Sequence, residues 1–155
     1  MSRAWSQTDM RYMRAALDKA GEALAVGEIP VGAIVVVGDV IAGTGHNHSI
    51  RSCDPTAHAE IVALREAAKA AGNYRISDAT VYVTLEPCPM CIGAMLHARI
   101  RRLVFGAYDP RAGAAGSVVD LCSDRRFNHR VEVNGGLLAE ECGKLLSEFF
   151  AARRN

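Results

Sequence analysis

Apolar residues recur at two different spacings along this chain, and the switch between them divides it into elements. Over residues 8–24 they fall at helical spacing (Met13, Ala16, Leu17, Ala20, Leu24), with Thr8 or Asp9 as the N-cap and Gly27 just past the end. Residues 31–37 form a β-branched run and residues 40–44 a second apolar run. The two residues between them, Gly38 and Asp39, predict a tight antiparallel hairpin. A polar loop over 45–55 carries His46, Asn47 and His48, and a helix is predicted over 57–71, capped by Asp54 or Thr56 and stopped by Gly72. Residues 80–85 read as a strand. Pro89 suits the first turn of a helix running to Ala98, because its missing N–H would have no helical partner there. Residues 103–107 read as a further strand, 108–117 as a loop rich in glycine and alanine, and 131–133 as a last short strand. Residues 137–153 form a closing helix with Leu138, Leu145 and Phe149 on one face.

Strands alternating with helices predict an α/β domain whose sheet is covered on both faces and is mixed because of the hairpin. No linker, repeat or low-complexity stretch interrupts the 155 residues, so a single domain over 1–155 is expected, long enough for a real core. No apolar run approaches the roughly 20 residues needed to span a bilayer. The first thirteen residues are polar and charged throughout, without the apolar centre of a secretory signal, so a soluble cytoplasmic protein with no membrane partner is expected. The five cysteines, an odd number with one C-x-x-C pair, do not resemble a secreted disulfide framework. Cys122 and Cys142 stand among apolar neighbours and are expected to be buried. A formal net charge of +1 does not announce a polyanionic partner, although arginines cluster locally at 99, 101 and 102, at 125, 126 and 130, and at 153 and 154.

Two short runs carry the chemistry, His58-Ala59-Glu60 and Pro87-Cys88-Pro89-Met90-Cys91. One imidazole and two thiols suit zinc, and three protein ligands leave a position open for water. Cys88 and Cys91, three apart across a helix start, share one helical face, where the dipole and the unpaired N–H groups favour thiolate. Glu60 is expected to flank the metal without ligating it and to move protons to and from the water and the leaving amine. Each motif has a plainer reading by itself. C-x-x-C alone is also a redox pair, His58 a capping residue, and Glu60 a favourable charge in a first turn. Cys53, five residues before His58, is the one other thiol that could approach the ion.

The H-x-E and P-C-x-x-C pair resembles the signature of the zinc nucleobase deaminases. Residues 54–61 and 82–91 resemble more narrowly the bacterial tRNA-specific adenosine deaminases, as do Ile29-Pro30-Val31-Gly32-Ala33, residues 104–109 and residues 113–117. The resemblance extends over nearly the whole chain. It implies a cytidine-deaminase-like, three-layer α/β/α sandwich with a five-stranded mixed sheet, one Zn2+ per subunit, and a homodimer. It implies conversion of adenosine to inosine at the wobble position of a tRNA anticodon stem-loop. It places the zinc ligands at His58, Cys88 and Cys91, the proton shuttle at Glu60, and substrate contacts at Asn47 and Ala59. Asp109, after a strand end and before a glycine-rich loop, is a candidate reader of a ribose 2′-OH, or else a turn-forming aspartate. His129, Arg153 and Arg154 are candidates for phosphate contact. Two other readings stay open here: a deaminase of a free base or nucleoside (guanine, cytosine or cytidine), and a non-catalytic zinc-stabilised RNA-binding module.

Overall fold

A computed structural model describes residues 4–154. Helix α1 (Gln7–Ala25) leads into a hairpin of β1 (Gly32–Val37) and β2 (Val40–His46), then a four-residue helix α2 (Ser49–Ser52) and helix α3 (Ala59–Ala71). Strand β3 (Ala79–Leu85), helix α4 (Pro89–Ala98), strands β4 (Arg102–Ala107) and β5 (Glu132–Gly135), and helix α5 (Ala139–Arg153) complete the order. The strands form one sheet in the order β2-β1-β3-β4-β5. β1 pairs antiparallel with both β2 and β3, whereas β3, β4 and β5 run parallel. The mixed sheet is therefore as expected, with its antiparallel part confined to the hairpin side.

Side chains of a strand alternate between faces, and here the two faces hold two separate cores. Ala33, Val35, Val81, Val83, Leu103 and Phe105 point to the side covered by α3 and α4. Ile34, Val36, Tyr82 and Val104 point to the side covered by α1 and α5. The result is the three-layer α/β/α sandwich. Among the described residues, no helix is long and apolar enough to cross a membrane.

Three local readings change. The N-cap of α1 is Ser6, whose hydroxyl accepts from the Asp9 N–H; Asp9 itself is buried. Its carboxylate pairs bidentately with Arg102 (2.9 and 3.2 Å) and accepts from the Tyr82 hydroxyl (2.8 Å). A carboxylate so engaged is held below its ordinary range by these donors, against the opposing pull of burial. Leu24 is exposed, because the buried face of α1 runs through Tyr12, Met13, Ala16, Ala20 and Ala23. The loop before α3 contains α2, too short to persist alone. Its first N–H groups, of Ile50 and Arg51, donate to the buried carboxylate of Glu28 at 3.1 and 2.7 Å.

The seat of α3 is built from residues with little or no side chain. Ala59, Ala63 and Ala67 recur every four residues and face Gly43 and Gly45 of β2. A Cβ at Gly43 would overlap the Ala63 carbonyl, and one at Gly45 the Ala59 carbonyl. This close approach fixes how deeply the first turn of α3 lies against the sheet.

Candidate active site

Parallel strands β3 and β4 end side by side, with Leu85 opposite Ala107. Sites in open α/β sheets form beyond such carboxyl ends. Here β3 runs directly through Glu86 and Pro87 into Cys88, the N-cap of α4, with Pro89 in the first turn. The start of α3 faces this point from the neighbouring segment, with His58 as its N-cap.

Among the described residues, His58, Cys88 and Cys91 form a cluster whose ligand atoms all lie within 4.8 Å of one another. Both sulfurs are 3.6 Å from His58 Nδ1. Tetrahedral coordination with Zn–N of about 2.05 Å and Zn–S of about 2.3 Å places nitrogen and sulfur about 3.6 Å apart, so the set fits one zinc ion. The electrostatics agree. Donation from Cys91 and from His58 pulls the Cys88 thiol down to about 4, while Cys91 and His58 are raised by their bonds to Cys88. Two thiols and an imidazole compete for the same protons, which is the condition a cation relieves. Cys53 is exposed and stands outside the cluster; its thiol faces the Ile50 carbonyl. Cys122 and Cys142 are buried, as expected.

Glu60 lies in the first turn of α3, is 4% exposed, and lines the same cleft as His58 and Cys88. Burial pushes its carboxyl up to about 6, where it can both take and give a proton near neutral pH. The cleft has a volume of about 790 Å³. Its walls include Asn47, Tyr108, Asp109, Phe150, Arg153 and Arg154.

Asn47 is buried, and its side-chain oxygen accepts from the Ala59 N–H at 2.8 Å. A backbone N–H can only donate, so the Asn47 amide must turn its oxygen to Ala59 and keep its two N–H donors for another partner. Asn47 thereby supplies the cap that α3 lacks locally: His58 makes no capping bond, and Asp54 instead closes a turn on Thr56. Ala59 is fully buried, with its amide spent on Asn47. Asp109 is both a cleft residue and a turn residue, because its Oδ1 accepts from the N–H groups of Arg111 and Ala112 at 2.9 and 3.2 Å.

Arg153 stacks its guanidinium over Phe149 at 4.6 Å and donates to the Gly27 carbonyl at 2.7 Å, so it is fixed at the cleft edge. His129 lies outside the cleft lining, its Nε2 2.7 Å from the Ile100 carbonyl. Two of the clustered arginines are also engaged, Arg102 with Asp9 and Arg126 with Asp124. The residues missed by sequence reasoning are two buried glutamates, Glu28 and Glu86. Both hold neighbouring loops through backbone N–H groups, and nothing in the local sequence distinguishes them from surface glutamates.

Comparison with known proteins agrees with this geometry. Residues 6–107 match the model of the cytidine and deoxycytidylate deaminase zinc-binding region. A tRNA-specific adenosine deaminase from Haemophilus influenzae is 56% identical over 151 residues, covering 96% of this chain and 87% of the relative. A solved structure from work on A-to-I editing by tRNA:A34 deaminases at the wobble position of transfer RNA superposes with a TM-score of 0.85 at 40% identity, covering 88% of this chain and 99% of the other. A guanine deaminase from Bacillus subtilis is more distant, with a TM-score of 0.62 at 33% identity, covering 94% and 93%. With its His58, Cys88 and Cys91 cluster fit for a metal, buried Glu60 and sheet topology, the chain belongs to the zinc-dependent cytidine and deoxycytidylate deaminase family, among its tRNA-specific adenosine deaminases.

Proposed function

We propose that this protein converts adenosine to inosine at the wobble position of a tRNA anticodon, consuming water and releasing ammonia. The observation that carries the reading is a three-ligand metal set sharing one cleft with a buried carboxyl and with an amide whose donors are uncommitted. His58, Cys88 and Cys91 would hold a zinc ion, which would supply the Lewis acidity that makes a hydrolytic nucleophile available near neutral pH. The chain's own residues do the rest. Glu60 takes one proton from the attacking water and delivers it to the ring nitrogen, then takes the second from the added hydroxyl and gives it to the amine, which leaves as ammonia while the carbonyl forms. Asn47 offers its N–H donors to acceptor atoms on the purine edge.

An anticodon loop presents its bases unpaired, which suits a small domain with no strand-separating module. Arg153 and Arg154 stand where phosphates of such a loop would pass, with Phe150 beside them as a stacking face. Asp109 retains Oδ2 for a ribose 2′-OH. His129, the remaining candidate for phosphate contact, commits its Nε2–H to the Ile100 carbonyl, which leaves a neutral ring no N–H for a phosphate. We place the protein in the reducing cytoplasm, where its five free thiols persist. A homodimer is favoured by α4, which carries no Asp, Glu, Lys or Arg and whose Met90, Ala94 and Leu96 are only half-buried. Light scattering at a mass near twice that of the 16.6 kDa chain would bear the dimer out.

The test is inosine formation by the zinc-loaded protein on an anticodon stem-loop with adenosine at the wobble position, against free adenosine, cytidine and guanine. Activity on the stem-loop alone, lost in Glu60→Gln with zinc retained, is the expected result. Ammonia released only from a free base would overturn the substrate. Full activity of Glu60→Gln would overturn the proton shuttle.

A further inference from the structure

Glu86 stands between the end of β3 and the ligand Cys88, and deamination as described gives it no role. It is 2% exposed. A carboxylate is rarely buried unless donors converge on it, and here four do. The Asp109 N–H (3.1 Å) and the Ser117 hydroxyl reach Oε1, and the N–H groups of Ala115 and Ser117 (3.0 Å each) reach Oε2. All four belong to the loop that leaves β4 and forms the cleft wall through Tyr108, Asp109 and the residues after them. Both ends of that loop, residues 109 and 115–117, fasten to the one carboxylate. Between them Gly113 passes so close that a Cβ would overlap the carboxyl group, and the next residue, Ala114, donates to the Pro87 carbonyl at 2.8 Å.

We infer that Glu86 is a positioning residue that seats the loop over 108–117 as the wall against which the nucleotide docks. The inference rests on the nucleic-acid deaminase reading. One residue, Pro87, separates Glu86 from Cys88, so the wall and the metal-binding segment are registered to each other through a single buried group. The Asp109 carboxylate, already turned onto Arg111 and Ala112, takes its place in the cleft from the bond between its own N–H and Glu86.

Glu86→Gln separates this from mere packing. The amide keeps one acceptor. At Oε1 its NH2 can meet a Ser117 hydroxyl turned to accept, but it then faces the Asp109 N–H donor to donor. The loop should loosen at residue 109 without loss of volume. Three readouts on the full zinc-loaded chain decide: metal content, amide hydrogen exchange, and kcat and KM on the anticodon stem-loop.

The expected result is zinc retained, faster exchange confined to the loop, KM raised about tenfold, as for one ordinary hydrogen bond, and kcat little changed. Unchanged exchange would overturn the inference, as would a loosened loop with wild-type KM. Exchange raised throughout the chain with zinc lost would also overturn it, in favour of a purely structural role. If Glu86→Gln does not fold, Ser117→Ala removes one of the four donors and should raise KM in the same direction; an unchanged KM there overturns the inference. An inactive wild type would sink the substrate reading and the docking role with it, while the exchange data still decide whether Glu86 holds the loop.

Discussion

The proposed function gives Asn47 two jobs with the two ends of one amide, and substitution can take them apart. Its oxygen caps α3 through the Ala59 N–H at 2.8 Å, and the proposed function assigns its N–H donors to the substrate. Asn47→Ala removes both. Loss of a side-chain cap costs about 1 kcal/mol, and for a chain of this size each kcal/mol lowers Tm by about 2–4 °C. Asn47→Asp keeps an acceptor for Ala59 and adds a negative charge at a helix N-terminus, which is favourable by about 0.3–1 kcal/mol, but it offers the base no donor. Thermal melts should therefore separate the variants, Asn47→Ala falling by about 2–4 °C and Asn47→Asp staying at or above wild type. Stem-loop deamination should not separate them in this way. Both variants should lose about five- to tenfold in kcat/KM, the value of one neutral hydrogen bond. Asn47→Ala should lose up to about a hundredfold if the uncapped turn lets His58 and Glu60 drift. A salt series removes the remaining ambiguity, because repulsion between the introduced carboxylate and RNA weakens with ionic strength whereas a missing donor does not. Wild-type kcat/KM in Asn47→Asp would refute the donor role, and an unchanged Tm in Asn47→Ala would refute the cap.

Two further predictions concern stability and metal. Asp9→Asn breaks a nearly buried pair and leaves Arg102 with only the exposed Glu132 as counter-charge, so a loss of about 3 kcal/mol is expected by urea unfolding at pH 7. Because the Asp9 pKa is lowered in the folded state, this advantage of wild type is complete above the unfolded carboxylate pKa of about 3.9 and vanishes as pH falls through the folded value. Curves for the two proteins should thus converge in acid, and a gap independent of pH would contradict the assignment. Chelation should remove one zinc per chain, abolish deamination and lower Tm. His58→Ala should bind zinc much more weakly, and metal analysis showing full occupancy in that variant would remove His58 from the ligand set.

Much of the fold and the site is legible in the residues alone, for physical reasons that differ by element. α1 and the hairpin declare themselves through periodicity and a Gly-Asp turn, and the structure moves their ends by one or two residues. The metal cluster is legible because its chemistry demands particular residue types at particular spacing. Caps are misread where the true partner is distant: Asn47 reaches α3 from twelve residues away, and Asp9 abandons the α1 cap for an arginine 93 residues on. α2 has no local signal because a remote glutamate, Glu28, holds it. Glu86 is invisible for the same reason, since a carboxylate's burial is decided by the loop that wraps it.

The glycine and alanine seam between β2 and α3 has a consequence for how this protein tolerates change. Gly43, Gly45, Ala59, Ala63 and Ala67 carry no reactive side chain, yet an added methyl at either glycine meets helix backbone. Lifting the helix would carry the His58 imidazole and the Glu60 carboxyl away from the sulfurs of Cys88 and Cys91, which belong to the start of a different helix. A saturation library scored by activity should therefore show these bland positions almost as intolerant as the metal ligands. Their signature would differ, in that damage should scale with side-chain volume and ignore polarity. Such a map would trace a spacer in the enzyme, written in the residues that have least to say chemically.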